Sequence, residues 1–220
     1  MKNLSPTKIA YEHIKHRIIN KTLFPGNRVI EEEIVRESNV SRTSIRTAMQ
    51  KLQYEGFLEI FPNRGAYVVK PTLEEMRQVY EIRTLLEERA LTLAIPRLTE
   101  TTLSRLRANL EAQRHLGNQF NIPEYAELNR EFHWEIACAS QNPYLQKYLN
   151  ELLNKSSIYL IFYDNSTDDM RSLEIHGAIL DAMERRDLDA ALQALRRDVD
   201  FALETVREVD ASGGQLTVSL

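Results

Sequence analysis

The 220 residues leave room for a module of about 70 residues and a second of about 140, each within the usual range for a domain. A single cysteine, Cys138, excludes an intramolecular disulfide framework, and no segment approaches the roughly 20 apolar residues of a membrane span. The net charge of −4 hides a split: residues 1–70 hold 12 Lys/Arg against 7 Asp/Glu, net +5, and the remainder holds 16 against 25, net −9. A positive first part and a negative second part place phosphate contact in the first alone. Without an apolar stretch of signal-peptide length at the N-terminus, the expected location is the cytoplasm, with no membrane partner.

In chain order, a leading helix is expected over Ala10 to Lys21, a turn at Pro25-Gly26, and a short helix from Ile30 to Ser38 with Ile34 and Val35 inward. Asn39 tolerates the left-handed conformation of a tight inter-helix turn, and Ser41 is a suitable N-cap for the next helix. On that helix Ile45, Ala48, Met49 and Leu52 form the apolar stripe, while Arg42 and Arg46 share another face at its start. Glu55-Gly56 ends it. Phe57–Phe61 and Ala66–Lys70 then read as two strands joined by Pro62-Asn-Arg-Gly65, a hairpin with a basic tip. Helix, helix-turn-helix and β-hairpin in this order make a winged helix-turn-helix over residues 1–70. The residues expected at double-stranded operator DNA are Ser41, Arg42, Thr43, Ser44 and Arg46 in the major groove, and Arg64 and Gly65 of the wing in the minor groove. Lys51 is expected at phosphate. A homodimer on a palindromic operator follows from the symmetry such readers adopt.

From Pro71 the pattern is helical throughout. Thr72-Leu-Glu-Glu75 is a capping box, opening a long amphipathic helix towards Pro96. Further helices are expected at about Thr102 to Leu116, Pro123 to Ala139 with Asn121 as cap, Pro143 to Phe162, Asp168 to Arg185 and Leu188 to Val206. The fold class is therefore mainly α: the winged helix, then an antiparallel all-helical bundle over 71–209, with 210–220 a flexible tail. The apolar run Ile158–Tyr163 reads as a buried helix end, and Cys138 among Ile136, Ala137 and Ala139 as a packed small hydrophobe. Asn129 and His133, four apart on one helix, His176 on another and Asp198 on the last all face inward. Each histidine taken singly fits a hydrogen-bonded core; two imidazoles and a carboxylate together need a common partner, which a divalent metal supplies.

Leu23-Phe-Pro-Gly-Asn-Arg-Val29, Val40–Ala48, Leu52-Gln-Tyr-Glu-Gly-Phe-Leu58 and Asn63-Arg-Gly-Ala-Tyr-Val68 together resemble the DNA-binding domain of GntR-family transcription regulators. This chain carries Ser44 and Thr47 where the family usually has proline and glutamate, and Asn39 where it commonly has glycine. Val79–Glu87, Asn129–His133 and Glu174–Ala182 are similar to the helical ligand-binding domain, called FCD, of the FadR-type branch. That resemblance implies a divalent metal (Zn, Ni, Mn or Fe) held at Asn129, His133, His176 and Asp198. The family's aspartate is replaced by Asn129 and its last histidine by Asp198, so the carboxylate has changed sides. It also implies that Arg83 reaches the cavity and pairs with a small organic-acid effector; an ion pair with Glu87, one turn on, is the alternative. The implied function is a transcriptional repressor whose DNA affinity an organic acid controls.

Two other functions use the same residues. In one the ion itself is the signal; in the other the metal serves an enzyme, and against this no nucleophile–base motif, phosphate-binding glycine loop or zinc-protease spacing accompanies the site, and the winged helix is left without a role.

Overall fold

The computed structural model describes residues 4–116, 121–163 and 169–211, in two compact units, Met1–Pro71 and Thr72–Leu220. The first unit opens with helix α1, Pro6–Ile19, capped by Ser5, whose hydroxyl accepts from the Lys8 N–H. It starts earlier than the apolar period indicates, because Ser followed by Pro supplies a cap and a first-turn residue already bent for a helix. Ala10, Ile14 and Ile18 of α1 are fully buried against α3, Arg42–Tyr54, whose inward stripe is Ile45, Ala48, Met49 and Leu52 as expected. Helix α2, Glu31–Ser38, buries Ile34 and leaves Val35 half-buried. Asn39 takes the left-handed conformation at φ 52°, ψ 38°, which lets the chain reverse within the helix-turn-helix.

Strands β2, Leu58–Phe61, and β3, Gly65–Val68, form the expected hairpin, and a third strand, β1, Arg28–Val29, adds to its other side in the order β1-β3-β2, all antiparallel. At the tip, Asn63 (φ 60°) and Gly65 (φ 95°) reverse the chain. The positive φ of Gly65 favours glycine there, and a Cβ would also meet the Arg28 guanidinium at 3.1 Å, so that side chain would have to shift slightly.

The second unit has six helices among the described residues: α4 Leu73–Ala94, α5 Glu100–Leu116, α6 Ile122–Ala139, α7 Pro143–Tyr163, α8 Asp169–Glu184 and α9 Leu188–Ala211. The capping box at the start of α4 is complete, Thr72 Oγ1 accepting from Glu75 N at 3.1 Å and Glu75 Oε2 from Thr72 N at 2.9 Å. Pro96 ends α4 in a short 3-10 turn. One assignment is corrected at the other end: α9 runs to Ala211, into the segment read as tail from 210, and residues 212–220 lie outside those described. Helix α4 packs on α6, α7 and α9, and α8 on α5 and α9, so the inward faces converge on one core. Ile158, Tyr159, Ile161 and Phe162 are buried there, in keeping with a buried helix end. Cys138 is half-buried, and burial pushes its thiol up, which opposes thiolate reactivity. No described helix is long and apolar enough to cross a membrane.

Candidate DNA-reading face and buried metal centre

The start of α3 is an exposed, polar end. Ser41 Oγ accepts the Ser44 N–H at 3.2 Å and lies 3.0 Å from the Ser44 hydroxyl, so the cap orders the turn from which Arg42, Thr43 and Arg46 project into solvent. The two arginines are held differently. Arg46 donates through Nε to both oxygens of Glu31, at 2.9 and 3.2 Å, whereas Arg42 meets Glu32 through a terminal nitrogen at 3.1 Å. The Nε contact leaves the terminal amino groups of Arg46 for a base edge. Glu31 and Glu32, in the first turn of α2, were not singled out in the sequence. At the wing, Arg64 is exposed and its guanidinium lies 5.5 Å from the Phe61 ring centre; Gly65 carries Arg28 against it. Lys51 lies 4.1 Å from the Tyr11 ring centre and 3.8 Å from Glu55, so its charge is partly engaged within the protein.

In the helical unit the four positions read as ligands do come together. His133 on α6, His176 on α8 and Asp198 on α9 present donor atoms within 4.8 Å of one another, all buried. Asp198 reaches both rings: Oδ2 is 3.3 Å from His133 Nε2 and Oδ1 is 3.4 Å from His176 Nε2. Asn129 turns its Nδ2 to the same point, 3.4 Å from His176 Nε2 and 3.4 Å from the Tyr125 hydroxyl. Arg83 lies beside this centre and makes the ion pair with Glu87, its Nε donating to Oε1 at 2.8 Å, while Nη2 is 3.8 Å from Asp198. Two participants were missed. Glu87 Oε2 lies 3.3 Å from His133 Nδ1, and Gln113 Oε1 lies 2.8 Å from His176 Nδ1. Next to the centre, Tyr80, Arg83, Tyr125, Asn129, Ser172 and Asp198 line a cavity of about 20 Å³.

The electrostatics are those of buried charges holding one another. Burial pushes the Glu87 carboxyl up, but Arg83 and His133 outweigh it and hold the group below the usual carboxylate range. Asp198 is likewise held well below that range despite burial, by its contacts to the two imidazoles. His133 is raised, the pull of Glu87 and Asp198 exceeding the cost of burial, and His176 is lowered, chiefly by burial. Yet among the described residues four buried polar side-chain atoms have no hydrogen-bond partner: both ring nitrogens of His133, Glu87 Oε2 and Arg83 Nη2. Two imidazoles and a carboxylate converging on one point, with His133 Nε2 left unsatisfied there, are a donor set suited to Zn2+, Ni2+, Mn2+ or Fe2+. The residues therefore fit a divalent ion.

A winged helix with a capped, arginine-bearing second helix, joined to a helical unit with a buried polar centre, is the build of a DNA-binding transcriptional regulator. Residues 6–68 match the family described as bacterial regulatory proteins, gntR family, and residues 78–201 match the FCD domain. Among relatives, an HTH-type transcriptional regulator of Bacillus subtilis, YdhC, is 28% identical over 210 residues, covering 92% of each chain. The HTH-type transcriptional repressor RspR of Escherichia coli is 26% identical over 211 residues, 94% of this chain and 92% of that one. The solved structure of E. coli McbR/YncC superposes with a TM-score of 0.77 at 21% identity, over 93% of this chain and 98% of that one. The chain belongs to the GntR family and carries the FCD domain of its FadR-like members. These relatives are transcriptional regulators, not enzymes.

Proposed function

We propose that this protein is a repressor in which the helical unit senses a small organic acid beside a bound divalent metal and changes the affinity of a homodimer for its operator. His133, His176 and Asp198 would hold the ion, with Asn129 as a fourth donor once its amide is turned to present Oδ1. The metal supplies positive charge at the cavity, where Arg83 adds a guanidinium for the acid's carboxylate. The observation that carries this reading is the convergence of His133, His176 and Asp198 from α6, α8 and α9 within 4.8 Å, with His133 Nε2 left unsatisfied, beside a cavity lined by Arg83. At the DNA, Ser41, Arg42, Thr43, Ser44 and Arg46 would face the major groove and Arg64 and Gly65 the minor groove. A second copy matches the two half-sites of a palindrome. Ile82 and Leu85, three apart on α4 and 49% and 60% exposed, offer it apolar surface.

The cavity volume favours a second reading, in which the ion itself is the signal. About 20 Å³ admits an ion or a water but not an organic acid unless neighbours such as Leu160 and Phe201 give way. One experiment separates the two. Protein purified without chelator or metal-affinity tag is analysed for metal, then screened by thermal shift against carboxylic and sugar acids with and without that metal. DNA affinity is then followed at fixed metal. An acid that stabilises the loaded protein and shifts its DNA affinity supports the effector reading; a DNA response to metal alone supports the other. Less than about a tenth of an equivalent of metal, with no uptake on titration, removes both.

A further inference from the structure

The two histidines sit on different helices and face different neighbours, yet both rings are engaged in the same way. His176 has its Nδ1 2.8 Å from Gln113 Oε1, and the Gln113 amide is fixed in that sense because its Nε2 donates to Asn109 Oδ1 at 2.7 Å. Asn109 Nδ2 in turn donates to the Leu128 carbonyl at 3.0 Å, so the chain of donors has one direction. At His133 the corresponding oxygen is Glu87 Oε2, within ion-pair distance at 3.3 Å from Nδ1, and neither atom has a hydrogen-bond partner as the ring stands. The Glu87 carboxylate is not free to turn away, because its other oxygen accepts from Arg83 Nε at 2.8 Å. Both rings thus turn Nδ1 to an oxygen and Nε2 to Asp198.

We propose that Glu87 is a positioning residue for the metal centre, accepting the Nδ1 proton of His133 and so keeping that ring's Nε2 lone pair directed at the point shared with His176 and Asp198. The physical reason lies in the tautomer. A neutral imidazole carries one N–H, and each ring nitrogen of His133 faces a buried carboxylate at 3.3 Å, Glu87 at Nδ1 and Asp198 at Nε2; a cation held between Nε2 and Asp198 would relieve the second contact, and only a proton relieves the first. Placed on Nδ1, it satisfies Glu87 and frees Nε2, and the carboxylate makes the ring a stronger donor. Gln113 does the same for His176 without the charge. Glu87 also ties the ligand His133 to Arg83, so metal centre and guanidinium share one anchor.

This inference rests on the metal reading, and its test keeps the two apart. Zinc affinity of the full-length protein is measured by competition with a chromophoric chelator for wild type, Glu87→Met and Glu87→Gln. Glu87→Met removes the acceptor and should weaken zinc binding about 10- to 100-fold, whereas Glu87→Gln keeps an oxygen that can accept the same proton and should recover most of it. No loss in Glu87→Met, or equal loss in both variants, overturns the proposal. Because Glu87→Met also strands a buried arginine, a second readout uses wild type alone. Long-range 1H–15N spectra of the zinc-loaded protein should show the two buried histidines protonated at Nδ1 and zinc-bound at Nε2; zinc on Nδ1 of His133 overturns the proposal while leaving the metal site standing. Wild type that takes up no zinc removes both.

Discussion

Arg46→Ala tests whether the structure has correctly divided labour between the two arginines of α3. In the free protein the Arg46 guanidinium is 66% exposed and its Glu31 partner 24%, so the pair is a surface ion pair worth about 0–1 kcal/mol. A bidentate arginine–guanine contact is worth about 1–3 kcal/mol of discrimination against the wrong base. Docking on DNA therefore gives up little, and Nε can keep Glu31 while the terminal amino groups take the base. Removing the side chain should lower the preference for the selected sequence roughly 5- to 150-fold at one base pair per half-site. It should leave the dependence of affinity on salt nearly unchanged, because no phosphate contact is lost. The assay is selection from a randomised duplex pool followed by anisotropy titrations across a salt series. Enrichment of the same sequence with the same affinity refutes the assignment. So does a uniform loss of affinity with a salt slope smaller by about one unit, since that marks a phosphate clamp.

The buried pair makes a second prediction: Arg83→Met leaves Glu87, 3% exposed, without its cation and should cost about 3–5 kcal/mol in urea denaturation of the metal-free protein. The double variant Arg83→Met/Glu87→Met should cost less than the sum of the singles, and additive costs would show that the pair is not coupled. At the other end of α4, Thr72→Ala should lower stability by about 1 kcal/mol at neutral pH. The Glu75 carboxyl is held below its ordinary value by the Thr72 backbone N–H and then by its hydroxyl. A depressed folded value means that this stabilisation is present above the unfolded value of about 4.3 and is lost as pH falls through the folded one. The Thr72→Ala penalty should therefore shrink in acid; a penalty constant with pH would exclude a part for the carboxylate.

The winged helix was legible because its signals are local. Asn39 as a left-handed residue, Ser41 as a cap and the stripe Ile45, Ala48, Met49, Leu52 each follow from a neighbour or a helical period. Strand β1 was not, since its two residues, Arg28 and Val29, carry no alternation to detect and are a strand only by pairing with Tyr67 and Ala66. The centre divides the same way. Inward-facing His133, His176 and Asp198 could be found from helical phase, whereas Gln113 carries no mark that separates it from any polar residue on α5. Glu87 was visible only as the partner of Arg83 one turn earlier; that its second oxygen meets a ring on α6 is a product of packing between helices.

The exchange of Asn129 for aspartate and Asp198 for histidine keeps the centre's charge while moving it to α9. With both imidazoles neutral, Arg83, Glu87 and Asp198 carry a net charge of −1. A proton on His133, which the neighbouring carboxylates favour, brings the centre to neutrality. On the proposed reading, a divalent ion in its place would bring it to +1, the state that would attract an organic anion to the cavity. The metal and the acid would then be coupled: whatever factor the ion added to the acid's affinity, the acid would add to the ion's. Because Asp198 lies on α9 and Arg83 and Glu87 on α4, which pack directly together, both proposed ligands would act on the same pair of helices. The difference in their affinity for the two arrangements of that pair limits how far either can shift DNA binding.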